Sequence, residues 1–167
     1  MAQARKGGSG RADARDAEIG RRVRSRRLEC RLSQVELGDR IGITFQQIQK
    51  YEKGISRIGA GRLQRIADTL EVPITFFFDG PANSATRDVN RGGEKPMGGT
   101  PDSQDREIGS RIRSRRLECG LSQSGLAERV GLTFQQLQNY EKGASRIGAA
   151  RLQQIAEALD VPIVFFF

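Results

Sequence analysis

The chain has no histidine, no tryptophan and only two cysteines among its 167 residues. Without histidine it lacks the side chain that most often serves as a general base or a metal ligand. Cys30 and Cys119 are predicted to pack as small apolar residues, and their scarcity suits a reducing compartment. The sequence shows no nucleophile–base pair, metal-ligand cluster or phosphate-cradling loop. We therefore expect neither an enzyme nor a protein that needs a cofactor, a metal ion or a small-molecule ligand.

Long apolar stretches are also absent from the sequence. No run approaches the roughly 18 apolar residues of a membrane span, and no signal-peptide pattern opens the chain. Positive charge is in excess, with 28 lysines and arginines against 20 acidic residues, a net charge of +8 and a pI near 10.3. Such an excess favours a polyanionic partner. Together these features predict a soluble protein of the cytoplasm.

The sequence is a tandem repeat. Residues 18–78 align with residues 107–167 without a gap, identical at 43 of 61 positions and different at 18. Apolar residues recur at helical spacing in both copies, which predicts an all-α fold. The sequence outside the copies is rich in glycine and lacks this spacing. The predicted organisation is a disordered basic tail over 1–15, a first unit over 16–78, a flexible linker over 79–104 and a second unit over 105–167.

The centre of each unit is a predicted helix-turn-helix. In the first unit it spans Leu32–Gly54, where Ser33 can cap a short helix and Glu36 can close a capping box. Gly42 lies where the chain must turn sharply, and Thr44 can cap the next helix. The same pattern recurs in the second unit. The second helix of such a motif is the right size to enter the major groove of DNA.

Other helices are predicted on both sides of this motif. The helix before it carries Arg27 on the inward-facing stripe, where a charge needs a partner, and Glu52 is the predicted one. Arg116 and Glu141 repeat this pair in the second unit. A fourth helix follows the motif, and Val72–Phe78 predicts a short last helix. Its phenylalanines are expected to be mostly core with at least one ring exposed, and whether such a ring joins the two units is left open.

The second unit is predicted to be the less stable one. Gly125 stands where the first unit has Glu36, so a capping carboxylate is lost and a helix-weakening glycine is gained. That exchange costs on the order of 1 kcal/mol. The units also differ on the outer side of the motif, where Asn139 stands in place of Lys50.

Several residues recur in both units in a specific combination. In the first unit they are Ile19, Arg22-x-Arg24, Leu32-Ser33-Gln34, Leu37, Gly42, Ile48, Tyr51-Glu52-x-Gly54 and Leu63-x-x-Ile66-Ala67-x-x-Leu70. In this combination both units resemble the lambda-repressor-like (Cro/CI or Xre) family of helix-turn-helix DNA-binding proteins. The resemblance implies a compact five-helix domain with a structural Arg–Glu pair between helices one and three. It also implies sequence-specific binding of double-stranded DNA in transcriptional regulation.

The resemblance assigns roles to individual side chains as well. In this family, residues early in the third helix read base edges, and the glutamine that opens the second helix touches a phosphate. We expect further phosphate contacts from basic residues at the end of the third helix and in the following loop. The implied base-reading residues are Thr44, Phe45, Gln46, Lys50, Thr133, Phe134, Gln135 and Asn139. The expected phosphate-binding residues are Gln34, Lys53, Arg57, Gln123, Lys142 and Arg146.

Several of these roles have alternatives. Phe45 and Phe134 could contact thymine methyl groups or pack inward, and Lys50 could bind guanine or merely a phosphate. Gln47 and Gln136 are expected to close capping boxes. Relatives with one such domain usually dimerise, so the two units could pair within one chain or between chains. The alternative function is a protein-interaction module, antitoxin-like or anti-activator, built on the same fold.

Overall fold

A computed structural model of the chain describes residues 14–78, 101 and 103–167, and all the elements in these ranges are helical. The first unit consists of α1 (Ala14–Glu29), α2 (Gln34–Ile41), α3 (Phe45–Glu52), α4 (Ala60–Thr69) and a 3-10 helix (Ile74–Phe77). The second consists of α5 (Ser103–Glu118), α6 (Gln123–Arg129), α7 (Phe134–Glu141), α8 (Ala149–Ala158) and a 3-10 helix (Ile163–Phe166). The predicted all-α class with two helix-turn-helix units is confirmed.

The ends of the predicted units differ slightly from the observed helices. Helix α1 begins at Ala14 and α5 at Ser103, so each starts two residues before the predicted unit. Residues 1–13, 79–100 and 102, which make up nearly all of the predicted tail and linker, lie outside the described residues. Among the helices of the described ranges, none combines the length and apolarity that a membrane span needs.

The caps of the first helix-turn-helix follow the sequence pattern. The Ser33 hydroxyl accepts a hydrogen bond from Glu36 N at 3.1 Å, and the Glu36 carboxylate accepts one from Ser33 N at 2.7 Å. Because that backbone N–H donates to the carboxylate, the pKa of Glu36 is lowered. Gly42 ends α2 in the left-handed region at φ 70°. The Thr44 hydroxyl then caps α3 by accepting from Gln47 N at 3.3 Å.

The second unit distributes its caps differently. Ser122 still accepts from Gly125 N at 3.0 Å, but glycine returns no carboxylate, so only half of the box exists at the start of α6. At α7 the box is complete, because Gln136 accepts from Thr133 N at 2.9 Å. For α3 the structure shows only the threonine half of the box, so the predicted closing role is present for Gln136 and not for Gln47.

The predicted last helix is a single 3-10 turn in each unit. It starts directly after Pro73 or Pro162, whose fixed φ suits the position before a helix. Each 3-10 helix is four residues long, which is typical of this kind of helix. Phe77 and Phe166 are fully buried, whereas Phe165 remains 43% exposed. The fifth helix that the sequence predicted is therefore a single 3-10 turn, and it places one buried phenylalanine in the core of each unit.

Helices α1 and α3 touch through their backbones. A Cβ atom added to Gly20 would lie 2.0 Å from the Tyr51 carbonyl oxygen, and one added to Gly109 would lie 2.1 Å from that of Tyr140. Only glycine allows this approach. Ile48 of α3 is fully buried, so α3 is held against the core along its inner side.

A buried ion pair lies beside this crossing. Arg27 Nε is 2.6 Å from Glu52 Oε1 and Arg27 Nη2 is 3.0 Å from Glu52 Oε2, with the side chains 7% and 2% exposed. Gln34 Nε2 donates to Glu52 Oε2 at 2.8 Å, and Arg27 Nη1 donates to the Leu32 carbonyl at 2.6 Å. The four groups join α1, α2 and α3. Arg116, Glu141, Gln123 and Leu121 repeat the network in the second unit.

The two units contact each other through the segments that precede α4 and α8. Ala60 N donates to the Ile147 carbonyl and Ala149 N donates to the Ile58 carbonyl, each at 2.8 Å. Gly59 and Gly148 thus face each other in an antiparallel bridge. Helix α4 packs on α8, and the two 3-10 helices contact each other. We call this reciprocal pair of hydrogen bonds the inter-unit bridge.

Replacing Gly125 tests the incomplete capping box. Gly125→Ala should stabilise the second unit by about 1 kcal/mol, because alanine loses less backbone entropy in a helix. Gly125→Glu should add a further gain at pH 7 by accepting from Ser122 N, as Glu36 does from Ser33 N. The lowered pKa of Glu36 means that such a carboxylate stabilises above its unfolded pKa of about 4.5 and loses its effect as the pH falls through the folded value. Urea unfolding at pH 7 and pH 3 measures both effects; equal stability of the two variants at pH 7 would contradict the box.

Replacing Glu52 tests the buried network. Glu52→Gln leaves the buried Arg27 guanidinium without its counter-charge. It also places an amide N–H₂ group next to the donors of Arg27 and Gln34. We therefore expect the unfolding free energy to fall by about 3–5 kcal/mol. Glu29→Gln is the matched control, since Glu29 forms an ion pair with Arg26 but its side chain is 54% exposed. That exchange should cost less than about 1 kcal/mol. Similar losses for both variants in denaturant titrations would show that burial does not set the strength of the pair.

Candidate nucleic-acid interface

The first turn of α3 presents its side chains outward. Ile48 and Tyr51 occupy the core side of the helix, so Phe45, Gln46 and Lys50 lie on the other side and are exposed. Phe45 is 45% exposed. The alternative that this ring packs inward is therefore wrong. An aromatic ring, an amide and an ammonium group together form an amphipathic surface one helical turn long.

The first turn of α7 has the same layout with a different chemistry. Phe134 is 47% exposed, which also excludes an inward position for this ring. Gln135 Nε2 donates to Asn139 Oδ1 at 3.1 Å and to Gln138 Oε1 at 3.3 Å. These amides hold one another in place, whereas Lys50 at the position of Asn139 is exposed. The second surface is neutral and preordered at the point where the first is positive.

Thr44 and Thr133 have a structural task at the start of these helices. Their hydroxyl oxygens accept from the backbone of Gln47 and Gln136 at 3.3 and 3.2 Å. Both threonines are exposed. The Thr133 hydroxyl donates its proton to Gln136 Oε1 at 3.2 Å.

Gln34 and Gln123 are oriented by the buried carboxylates. Gln34 Nε2 donates to Glu52 at 2.8 Å and Gln123 Nε2 donates to Glu141 at 2.7 Å. Each glutamine is the first residue of its helix, where the backbone N–H has no acceptor within the helix. An anion could reach that N–H and the remaining amide hydrogen together.

The basic residues after α3 and α7 divide into two kinds. Lys53 and Lys142 cap these helices and are exposed. Arg57 and Arg146, expected from sequence to bind phosphate, are instead mostly enclosed. Arg57 Nε lies 3.6 Å from Asp16 Oδ2 with its side chain 16% exposed, and Arg146 Nε lies 3.8 Å from Asp105 Oδ2 with its side chain 22% exposed.

Two features of this region were missed by the sequence analysis. One is the pairing of Asp16 with Arg57, and the other is the inter-unit bridge that begins at the next residue, Ile58. The available signal was the run Ser-Arg-Ile-Gly-Ala, which is identical at residues 56–60 and 145–149. The run is half-buried or buried in both units, and its last three residues form the inter-unit bridge.

A family model and several known proteins are similar to the two units of this chain. The helix-turn-helix family model HTH_3 matches residues 23–77 and again residues 112–166. The chain is similar to the uncharacterized HTH-type transcriptional regulator y4aM of Sinorhizobium fredii, with 56% identity over 69 residues, which are 41% of this chain and 48% of that protein. It is also similar to an uncharacterized transcriptional regulator in the ATPase CF(0) region of Rhodospirillum rubrum, with 57% identity over 63 residues, covering 38% of this chain and 58% of that protein.

The chain is also similar in part to a solved structure. The restriction-modification controller protein C.AhdI from Aeromonas hydrophila is 29% identical and aligns over 40% of this chain and 100% of its own, with a TM-score of 0.38. The chain spans about half the length of the curated relatives that it matches.

The family model covers both halves of the repeat and most of the chain, and it ends in each unit inside the 3-10 helix that closes the core. The family consists of DNA-binding transcriptional regulators and not of enzymes. The chain belongs to the lambda-repressor-like (Xre) helix-turn-helix family, of which it carries two domains in tandem.

Proposed function

We propose that the chain is a sequence-specific regulator of transcription whose two units pair within one chain and read two half-sites of one DNA duplex. The observation that carries this proposal is the inter-unit bridge, two reciprocal hydrogen bonds of 2.8 Å between Ile58–Ala60 and Ile147–Ala149. It joins the loops that leave α3 and α7, so the two outward-facing surfaces belong to one body. We further propose a cytoplasmic, nucleoid-associated location, since DNA is the proposed partner.

In this proposal the early residues of α3 and α7 contact base edges. Gln46 and Gln135 offer an amide that can pair with adenine N6 and N7, and the exposed rings of Phe45 and Phe134 can touch thymine methyl groups. Thr44 and Thr133 lie at the edge of each surface, where their hydroxyl oxygens can accept a further hydrogen bond. Shared Thr-Phe-Gln-Gln sequences mean that the two half-sites share part of their sequence. The proposed base-reading residues are Thr44, Phe45, Gln46, Lys50, Thr133, Phe134, Gln135 and Asn139.

Phosphate contacts position the units on the duplex. Lys53 and Lys142 are exposed at the ends of α3 and α7. A helix that lies in the major groove of DNA passes close to the sugar–phosphate backbone at its end. Gln34 and Gln123 supply the N–H groups at the starts of α2 and α6. These contacts carry no sequence information, but they set the register of the base-reading helices.

The salt dependence of binding tests the proposal as a whole. After selection of preferred duplexes from a random pool, the logarithm of the affinity should fall linearly with the logarithm of salt concentration, by about 0.9 per phosphate neutralised. Sites with two half-sites about one helical turn apart should bind more tightly than sites with one. Failure to select any duplex, combined with a tight complex with a protein, would instead support the protein-interaction module.

Exchanging Lys50 tests the difference between the two surfaces. Lysine only donates and suits guanine O6 and N7, whereas asparagine donates and accepts and suits adenine. Lys50→Asn should therefore make the selected site more symmetric, with a discrimination of about 1–3 kcal/mol at the affected base pair. If the variant instead binds all sequences more weakly by the same factor and with a shallower salt slope, Lys50 contacts a phosphate. The reverse exchange, Asn139→Lys, is the matched control and should introduce guanine in the other half.

A further inference from the structure

The loops that connect α3 to α4 and α7 to α8 link the reading helices to the inter-unit bridge. We call residues 53–60 and 142–149 the bridge loops. Each begins at the helix that faces outward and ends at the alanine whose N–H donates across to the other unit. Each bridge loop is thus the direct chain connection between a reading helix and the contact with the other unit. The packing of α4 on α8 and the contact of the two 3-10 helices also join the units.

The start of each bridge loop lies against the first helix of its own unit. A Cβ added to Gly54 would lie 2.7 Å from Ala17 Cα, and one added to Gly143 would lie 2.6 Å from Arg106 Cα. Both glycines are in the left-handed region, at φ 63° and 62°. The loops thus leave α3 and α7 in direct backbone contact with α1 and α5.

The middle of each bridge loop is tied to the same helix by a charge. Arg57 pairs with Asp16 and Arg146 pairs with Asp105, and these aspartates are only 3% and 4% exposed. Solvent and salt screen a pair of this kind much less than an exposed one. The residue after each arginine, Ile58 or Ile147, is the one whose carbonyl accepts the bridge hydrogen bond.

The ion pair and the inter-unit bridge are therefore formed by neighbouring residues of the same loop, and this arrangement occurs twice. It runs from Asp16 through Arg57 to Ile58, across to Ala149, and equivalently from Asp105 through Arg146 to Ile147 and across to Ala60. An arginine already mostly enclosed against an aspartate of its own unit is poorly suited to grip a phosphate. It is well suited to hold the carbonyl beside it in place.

We propose that Arg57 and Arg146 are positioning residues, whose ion pairs with Asp16 and Asp105 hold the bridge loops and thereby set the spacing of half-sites that the protein accepts. This inference rests on the proposed function, and it replaces the phosphate-binding role expected for these two arginines from sequence. The aspartates make it testable, because a carboxylate cannot bind phosphate. Loss of its negative charge does not by itself weaken binding to a polyanion, so a changed dependence on half-site spacing in Asp16→Asn reports the arginine that it holds.

The experiment uses the full chain with Asp16→Asn, Arg57→Gln and Lys53→Gln. Affinity is measured on duplexes whose two selected half-sites are moved apart in steps of one base pair, at several salt concentrations. We expect Asp16→Asn and Arg57→Gln each to flatten the dependence on spacing, with the ratio between the best and the neighbouring spacing falling toward one, while the salt slope stays that of the wild type. Lys53→Gln, the matched phosphate-contact variant, should keep the spacing dependence and lose about 0.9 from the slope.

A second measurement is independent of DNA. Amide hydrogen exchange at Ala60 and Ala149, the donors of the inter-unit bridge, should become faster in Asp16→Asn and Arg57→Gln and stay unchanged in Lys53→Gln. The amide of Ile66, in the buried face of α4, reports whether the unit remains folded. Arg57→Lys, which keeps the charge, should retain most of the spacing dependence.

Two results would overturn the inference. One is a salt slope reduced by about 0.9 in Arg57→Gln alongside wild-type behaviour of Asp16→Asn, which would assign Arg57 to a phosphate. The other is unchanged spacing dependence and unchanged exchange at Ala60 and Ala149 in both variants. The wild type alone decides the proposed function, since a wild-type chain without any preferred duplex or spacing would contradict that proposal whatever the variants do.

Discussion

The buried carboxylate of Glu52 is the interaction on which the rest of each unit depends. It lies at the end of α3 and accepts hydrogen bonds from Arg27 on α1 and Gln34 on α2, so one side chain determines the mutual orientation of three helices. The backbone contact at Gly20 places α1 and α3 close enough for this to happen. Because the pair is almost fully buried, removing either Arg27 or Glu52 would leave the other charge buried without a partner and destabilise the unit. The outward direction of Phe45 and Gln46 follows from the same arrangement.

The two units use one plan with different fine structure. The first unit closes its capping box at α2, and the second closes it at α7. The first presents an exposed lysine on the outer side of α3, and the second presents amides on α7 that bond to each other. The interior networks, by contrast, are the same within 0.1 Å for the Arg–Glu contacts of 2.6 and 3.0 Å in one unit and 2.6 and 3.1 Å in the other. The two units thus differ in their caps and outer side chains and share the buried Arg–Glu–Gln network.

The sequence predicted what side chains determine locally, and it missed what backbones determine at a distance. Capping by Ser33 and Thr44 and the helix-turn-helix between them follow from residue types at fixed spacing. The partner of Arg27 could be named because only one acidic residue lay on the right face of α3. Asp16 was missed because an acidic residue in the first turn of a helix is ordinary there. The inter-unit bridge uses N–H and C=O groups that nearly every residue has, so no residue type pointed to it. The single 3-10 turn after Pro73 depends on how much space the core leaves.

The inter-unit bridge joins segments of a single polypeptide, and this has a consequence for dosage. Where two separate chains must meet before they bind, the concentration of the competent form rises with the square of the chain concentration at low levels, which creates a threshold. A pair formed within one chain has no such assembly step, because its halves are held at a fixed effective concentration. Occupancy of a site then rises with the first power of the amount of protein. With the proposed pairing within one chain, the response of such a regulator follows its amount in proportion, without the threshold that assembly from two chains creates.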